Sequence, residues 1–399
     1  MEKNPEKSTG KILLVSDWAP PMLDGPSVIL GNILREFSPE ELVLFTRKLN
    51  RHTNIFCKKG NEVDVKRYTV SVPSPYAVGH SGFPRRIVRV LEIAFIPFTT
   101  IKGLLVALRE KPDYILATSD IPHGHFMIAA FFIAEILRKP LFFYLFDPIE
   151  EFASSRMHKM LLKYFEPRMF RYASGIITMN SHLAEYYRKK YAVDCKVLHH
   201  SVRCPALVRP AVSRGVNKTF RIVFSGNISK YQLDALLHLK EAVKLINLNV
   251  KPVIYTPVNK ATLDFYGLTG DDIMISHVDH RKLEAELKKA DILFLPLSFK
   301  NADSIVVKAA FPSKTMDYLA SGRPVIVHAP RDCFIAEYAR EKNFAEVVTD
   351  NNAASLANAI ESLLNNSSRQ EELISNSFKT LLEHDPKIKH RELVGILGS

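Results

Sequence analysis

Two short clusters of polar residues have the types and spacing to hold a phosphorylated ligand. The first is Pro312-Ser313-Lys314-Thr315-Met316-Asp317, followed by Gly322 and the apolar run that starts at Pro324. Pro312 and Ser313 suit a helix start, with Ser as its cap, and Gly322 suits its end. A lysine in a first helical turn opposes the macrodipole by about 0.3–1 kcal/mol. Lys314 makes better sense if an anion such as a diphosphate sits beside it, joined by the free N–H groups of the helix start. Asp317, three residues on, shares its face, and a carboxylate there suits the hydroxyls of a ribose. A solvated Lys–Asp pair is the other reading of the same spacing. The second cluster is Gly226-Asn227-Ile228-Ser229-Lys230. Gly226 lets the backbone approach a phosphate closely, and Lys230 would neutralise its charge. The alternative is a plain strand-to-helix turn with Asn227 capping it.

The N-terminal half offers fewer candidates. Gly25 lies between Asp24 and Pro26, where it either brings backbone N–H groups to a ligand or satisfies a turn. His123 and His125 follow a strand-like run, and either a catalytic or a structural histidine fits there. No partner ligand stands out to make a metal site of them, and none is expected. Asp147 follows another apolar run and suits an acceptor hydroxyl. Glu150 and Glu151 read as the solvated acidic first turn of a helix.

Alternating strands and helices must position these residues. Strand-like runs fall at 11–16, 42–46, 63–70, 114–118, 141–146, 175–179 and 196–200. After an aperiodic stretch at 203–218 they resume at 220–226, 253–256, 272–277, 291–296, 324–328 and 345–349. Helical patterns fill the gaps, including 27–37, 84–109, 122–137, 156–172 and 181–191. Two helices are expected over 354–382 and a third, short one over 391–397. This alternation is the signature of parallel α/β domains. It predicts an acceptor-side domain over 1–205, a nucleotide-binding domain over 206–375, and a helical tail over 376–399 packing back on the first. Ligands of such sheets bind outside the carboxyl ends of the strands, and a cleft between the domains is expected.

The run Asp317-Tyr318-Leu319-Ala320-Ser321-Gly322-Arg323-Pro324-Val325, with Pro312-Ser313-Lys314 before it, resembles the nucleotide-sugar site of retaining GT-B glycosyltransferases, especially family 4. Gly226-Asn227-Ile228-Ser229-Lys230 resembles that family's G-N-x-G-K/R element, and the opening strand with its Pro-Pro-Gly loop resembles its first loop. The resemblance implies two Rossmann-like domains facing a cleft and a nucleotide-diphosphate sugar as donor substrate, with no separate cofactor. Gly25, Gly226, Asn227, Lys230, Ser313, Lys314 and Asp317 would bind the donor, and His123, Lys230 and Lys314 would serve catalysis. It also implies transfer to a saccharide or lipid-linked acceptor in bacterial surface polysaccharide or glycolipid synthesis. Three departures stand out. Ala309 occupies the place of a glutamate that contacts the sugar, Ser229 stands for a glycine, and the first loop has one glycine instead of two. They motivate an inactive scaffold as one alternative, and a nucleotide-sugar 2-epimerase on the same fold is the other.

The chain has 399 residues and a formal net charge of +12. That excess favours polyanions, but no zinc finger, RNP aromatics or helix-turn-helix argues for nucleic acid. The four cysteines, Cys57, Cys195, Cys204 and Cys333, are scattered, as buried thiols of a reducing compartment would be. The first residues are polar and carry no secretory pattern. The expectation is a cytoplasmic protein that spans no membrane. Residues 83–108 are apolar with basic residues at their start and Pro97 within. They read either as a surface helix meeting anionic lipid at the inner face of the cell membrane or as a core helix broken at the proline.

Overall fold

The computed structural model describes residues 10–22, 25–49, 63–73, 85–119, 124–153, 155–203 and 219–398. They form two compact units, one of residues 1–201 with 386–399, the other of residues 202–385.

The N-terminal unit holds β1 (Ile12–Ser16), α1 (Gly25–Leu34), β2 (Leu42–Arg47), β3 (Lys66–Val70), α2 (Arg85–Ala94), α3 (Ile96–Glu110) and β4 (Tyr114–Thr118). It continues with α4 (His125–Leu137), β5 (Leu141–Leu145), α5 (Arg156–Tyr172), β6 (Gly175–Thr178), α6 (Ser181–Tyr191) and β7 (Cys195–Val197). The strands are parallel in the order β3-β2-β1-β4-β5-β6-β7. β1 lies between β2 and β4, with Ile12 opposite both Leu42 and Tyr114. The chain leaves β1 in one direction and resumes at β4 in the other, so a topological switch point falls there. β1 and β5 are buried along their whole length, as central parallel strands covered on both faces must be.

Local chemistry sets the helix starts. The Ser155 hydroxyl accepts the His158 N–H at the head of α5, and the Asn180 side chain accepts the Leu183 N–H at the head of α6. The expected break at Pro97 falls slightly earlier. α2 and α3 meet at Phe95, and Pro97 occupies the first turn of α3, where its missing N–H is no loss.

The C-terminal unit holds β8 (Phe220–Ser225), α7 (Leu233–Ala242), β9 (Val250–Tyr255), α8 (Lys260–Phe265), β10 (Met274–Ser276), α9 (His280–Leu287) and β11 (Ile292–Pro296). Then come α10 (Ile305–Lys308), α11 (Lys314–Ala320), β12 (Val325–His328), α12 (Phe334–Lys342), β13 (Ala345–Val348), α13 (Ala353–Asn365) and α14 (Ser367–Glu383). Its parallel sheet runs β10-β9-β8-β11-β12-β13, so β8 occupies the switch position. Apolar clusters fill both faces of this sheet.

The last helix, α15 (Pro386–Leu397), returns to the N-terminal unit. Its Leu393 and Leu397 lie in one apolar cluster with Ile29 and Ile33 of α1.

Candidate functional site

In the C-terminal unit, β8 ends at Ser225 and the chain turns at Gly226, whose φ of 125° is open to glycine but strained for other residues. The Gly226 N–H donates to the Tyr255 carbonyl at 2.8 Å. A Cβ on residue 226 would lie 2.8 Å from Lys314 Nζ. The two clusters singled out in the sequence are therefore in contact.

Lys314 opens α11 and is half-buried. Its ammonium sits 4.0 Å from the Phe224 ring centroid and has no hydrogen bond or ion pair among the described residues. Burial in these surroundings lowers its pKa from the usual 10.5 to about 7. A desolvated cation whose near neighbour is an aromatic face is poised for an anion. Tyr318, one turn on and fully buried, fixes the arrangement. Its hydroxyl oxygen accepts the Ser225 N–H at 2.8 Å and lies 3.3 Å from Ser225 Oγ, tying α11 to the end of β8.

The remaining candidates of this unit lie around that contact. Ser313 does not cap the helix as expected. Its backbone is already helical, so its hydroxyl makes no capping bond and stays exposed. Asp317 is exposed in the first turn of α11. Asn227 is exposed and makes no turn-capping hydrogen bond among the described residues. Lys230 is exposed, 5.0 Å from the Tyr231 ring, and its carbonyl accepts Asn301 Nδ2–H at 3.0 Å. Ser229 shows why glycine is dispensable there. Its hydroxyl donates to Gln232 Oε1 at 2.8 Å and accepts the Tyr231 N–H, closing the turn with a side chain. Ala309 is buried, so position 309 offers no carboxylate, and the nearby Asp303 and Lys308 pair loosely on the surface at 3.7 Å.

In the N-terminal unit, Gly25 is the first residue of α1. His123 lies outside the described residues. His125 is buried, with Nε2 2.7 Å from Thr99 Oγ1, and burial lowers its pKa to about 4. It is a neutral structural imidazole. Asp147 follows β5, is half-buried and has no hydrogen bond or ion pair among the described residues. Burial raises its pKa from 3.8 to about 6. Glu150 departs from its expected role as a solvated first-turn acid. Its carboxylate accepts from Lys190 Nζ at 2.8 Å, and Lys190 also reaches the buried Glu166 at 3.1 Å. Burial would raise the Glu150 carboxyl, but Lys190, Lys159 and Lys163 together outweigh it and the net shift is downward.

A buried network at the ends of β1 and β2 had no local sequence signal. Arg47 donates from Nε and Nη2 to Asp17 at 2.5 and 2.9 Å, from Nη2 to Glu92 at 3.0 Å, and from Nη1 to the Val72 and Pro73 carbonyls. Burial pushes Glu92 up to about 7 against the pull of Arg47. Its members are 30 and 45 residues apart, and nothing in their immediate surroundings marks them as partners.

Residues 214–380 match the family model described as Glycosyl transferases group 1. No curated protein matches the chain by sequence. Solved structures match over nearly its whole length. Anabaena HepE in complex with UDP superposes with a TM-score of 0.67 at 14% identity, covering 97% of this chain and 99% of that one. An α,α-trehalose 6-phosphate synthase from Burkholderia multivorans gives 0.65 at 13%, covering 98% and 96%. Sucrose-phosphate synthase from Thermosynechococcus elongatus gives 0.65 at 12%, covering 96% and 97%. The two parallel sheets with flanking helices are thus the GT-B fold, and most of the C-terminal unit is similar to the group 1 glycosyl transferase model.

Proposed function

We propose that the chain is a glycosyltransferase that moves a sugar from a nucleoside-diphosphate sugar, bound by the C-terminal unit, to a saccharide or lipid-linked acceptor. The observation that carries this reading is the unpartnered ammonium of Lys314 held against Gly226. As the bond between sugar and diphosphate breaks, negative charge grows on the leaving oxygen. A preorganised, partly desolvated cation stabilises that charge more than solvent does. The Gly226 turn lets a phosphate approach the backbone, Lys230 adds a second cation, and the exposed Asp317 suits the ribose hydroxyls. Structures of Anabaena HepE with UDP and with UDP-glucose support a uracil-type donor. On the acceptor side, the bare Asp147 carboxylate suits an acceptor hydroxyl. Retention of anomeric configuration, and a setting in bacterial surface polysaccharide or glycolipid synthesis at the inner face of the cell membrane, extend the reading by family resemblance.

The test is ligand-induced stabilisation. UDP or a UDP-sugar should raise the unfolding temperature, and the purified protein should slowly release UDP from the sugar nucleotide. Lys314→Ala should lower that release about 10²–10³-fold. The free Lys314 titrates near 7 and a bound diphosphate raises its pKa, so binding at pH 8 should take up protons. Calorimetry in buffers of different ionisation enthalpy measures that uptake. If no nucleoside diphosphate binds, or if Lys314→Ala binds as tightly and with undiminished proton uptake, the proposal fails.

A further inference from the structure

The outer helices of the N-terminal unit carry a surface of a different kind, one that stands independently of the transfer reaction. Leu91 of α2 and Phe98, Ile101, Leu105 and Leu108 of α3 recur at helical spacing and are all exposed, Leu105 at 58%. The opposite face of the same helices is core. Val88, Ile96, Val106 and Ala107 are buried, and Gly103 brings α3 so near α4 that a Cβ would lie 2.3 Å from Ile133 Cδ1. Residues 87–110 are long and apolar enough to cross a membrane by length and composition. Their inner face, however, packs on the sheet and carries the ion-paired Glu92 and Glu110. A helix anchored this way lies on a bilayer and does not span one.

α5 extends the surface. Its His158 is 3.8 Å from Glu92 of α2, and its Phe165 ring packs on Phe132 of α4 at 5.7 Å. Its outer side exposes Met157, Met160 and Tyr164, with Met160 at 64%. Around these stand the exposed cations Arg156, Lys163, Arg168 and Arg171. Arg168 stacks over the Tyr164 ring at 3.7 Å. The charge arrangement is one-sided. The acids of α2, α3 and α5 are Glu92, Glu110 and Glu166, and all three are buried, held by Arg47, Lys11 and Lys190. These three helices therefore show solvent cations and apolar side chains and no carboxylate. On α4, between them, Glu135 is exposed beside Ile136.

We propose that the α2, α3 and α5 faces together form a docking surface for an anionic lipid bilayer, with the α3 stripe entering the acyl boundary and the α5 cations meeting the headgroups. Apolar burial and attraction to anionic headgroups add in such helices, and each cation near the surface strengthens the attraction. The apolar stripe does not suit water, and the sign of the surrounding charge selects an acidic membrane.

The experiment is co-sedimentation of the full chain with vesicles of phosphatidylcholine alone and of phosphatidylcholine mixed with phosphatidylglycerol. The mixed vesicles should bind roughly tenfold more tightly, with an affinity that falls as salt rises. The pair Ile101→Glu and Leu105→Glu, and separately Lys163→Glu and Arg168→Glu, should each weaken binding at least about tenfold. All four positions are exposed, so the unfolding temperature should hold, which separates lost docking from lost folding. Phe265→Glu, at an 85% exposed site in the other unit, should bind like the parent. The proposal is overturned if mixed vesicles do not bind, or if neither double variant weakens binding. It is also overturned if the chain is a dimer that the apolar pair dissociates without any lipid effect, since the face then belongs to a second copy.

Discussion

The two sheets leave opposite charges bare. In the C-terminal unit a half-buried cation, Lys314, sits at the end of β8 with an aromatic ring and a glycine for neighbours. In the N-terminal unit the half-buried Arg47 is engaged by Asp17 and Glu92, and Lys190 by Glu150 and Glu166. There an anion, Asp147 after β5, has no hydrogen bond or ion pair among the described residues. The same lesson holds on both sides. A buried charge enclosed by opposite charges is part of the scaffold, because removing one partner strands the other. A buried charge left open is held at a free-energy cost that a ligand can offset.

The sharpest way to break the comparison is Arg47→Ala. If Arg47 is scaffold, the change strands Asp17 and Glu92, which are buried, and unfolding free energy should fall by about 3–5 kcal/mol. A denaturant midpoint close to the parent's would show that the network is not what holds α2 to the sheet. Next in size is Asp147→Asn, which keeps the shape and removes the charge. As a group that must be ionised, Asp147 should give acceptor-dependent transfer an acid limb, with activity lost as pH falls through about 6. Asp147→Asn should lower transfer about 10²-fold and abolish that limb, while nucleoside-diphosphate binding stays unchanged. An unaltered pH profile would return Asp147 to the scaffold.

Where a signal was local, the sequence was readable. β4 runs over 114–118 and α5 over 156–172, as expected, because the short apolar run of β4 and the Ser155 cap of α5 are each encoded within a few residues. β9 starts at Val250 instead of 253, since Pro252 reads as a breaker. The structure tolerates it because pairing with β10 begins only at Val253, so the missing N–H faces no strand there. α15 starts at Pro386, five residues before the expected 391, for the related reason that a proline fits a first helical turn. The placement of Lys314 against Gly226 was legible only as a convergence of two motifs. The Arg47 network was not legible, because the charge pairing depends on which strands lie side by side.

Tyr318 belongs to that second group, and it tests how finely the bare cation is positioned. Its buried phenol reaches Ser225 across 93 residues of sequence. Tyr318→Phe keeps the ring in its cavity and removes the acceptor of the Ser225 N–H. One buried donor is left unmet, at about 1–3 kcal/mol. Scaffold loss alone would lower the unfolding temperature and leave the behaviour of the folded fraction intact. If the bond also holds the Gly226 turn under Lys314, the folded protein should change too. The affinity for UDP should weaken several-fold, and the proton uptake at pH 8 should shrink as Lys314 gains freedom to reach water and regain its ordinary pKa. Calorimetry on the variant, kept well below its unfolding temperature, reads both quantities in one titration. Unchanged affinity and uptake would mean that Lys314 is held by α11 alone.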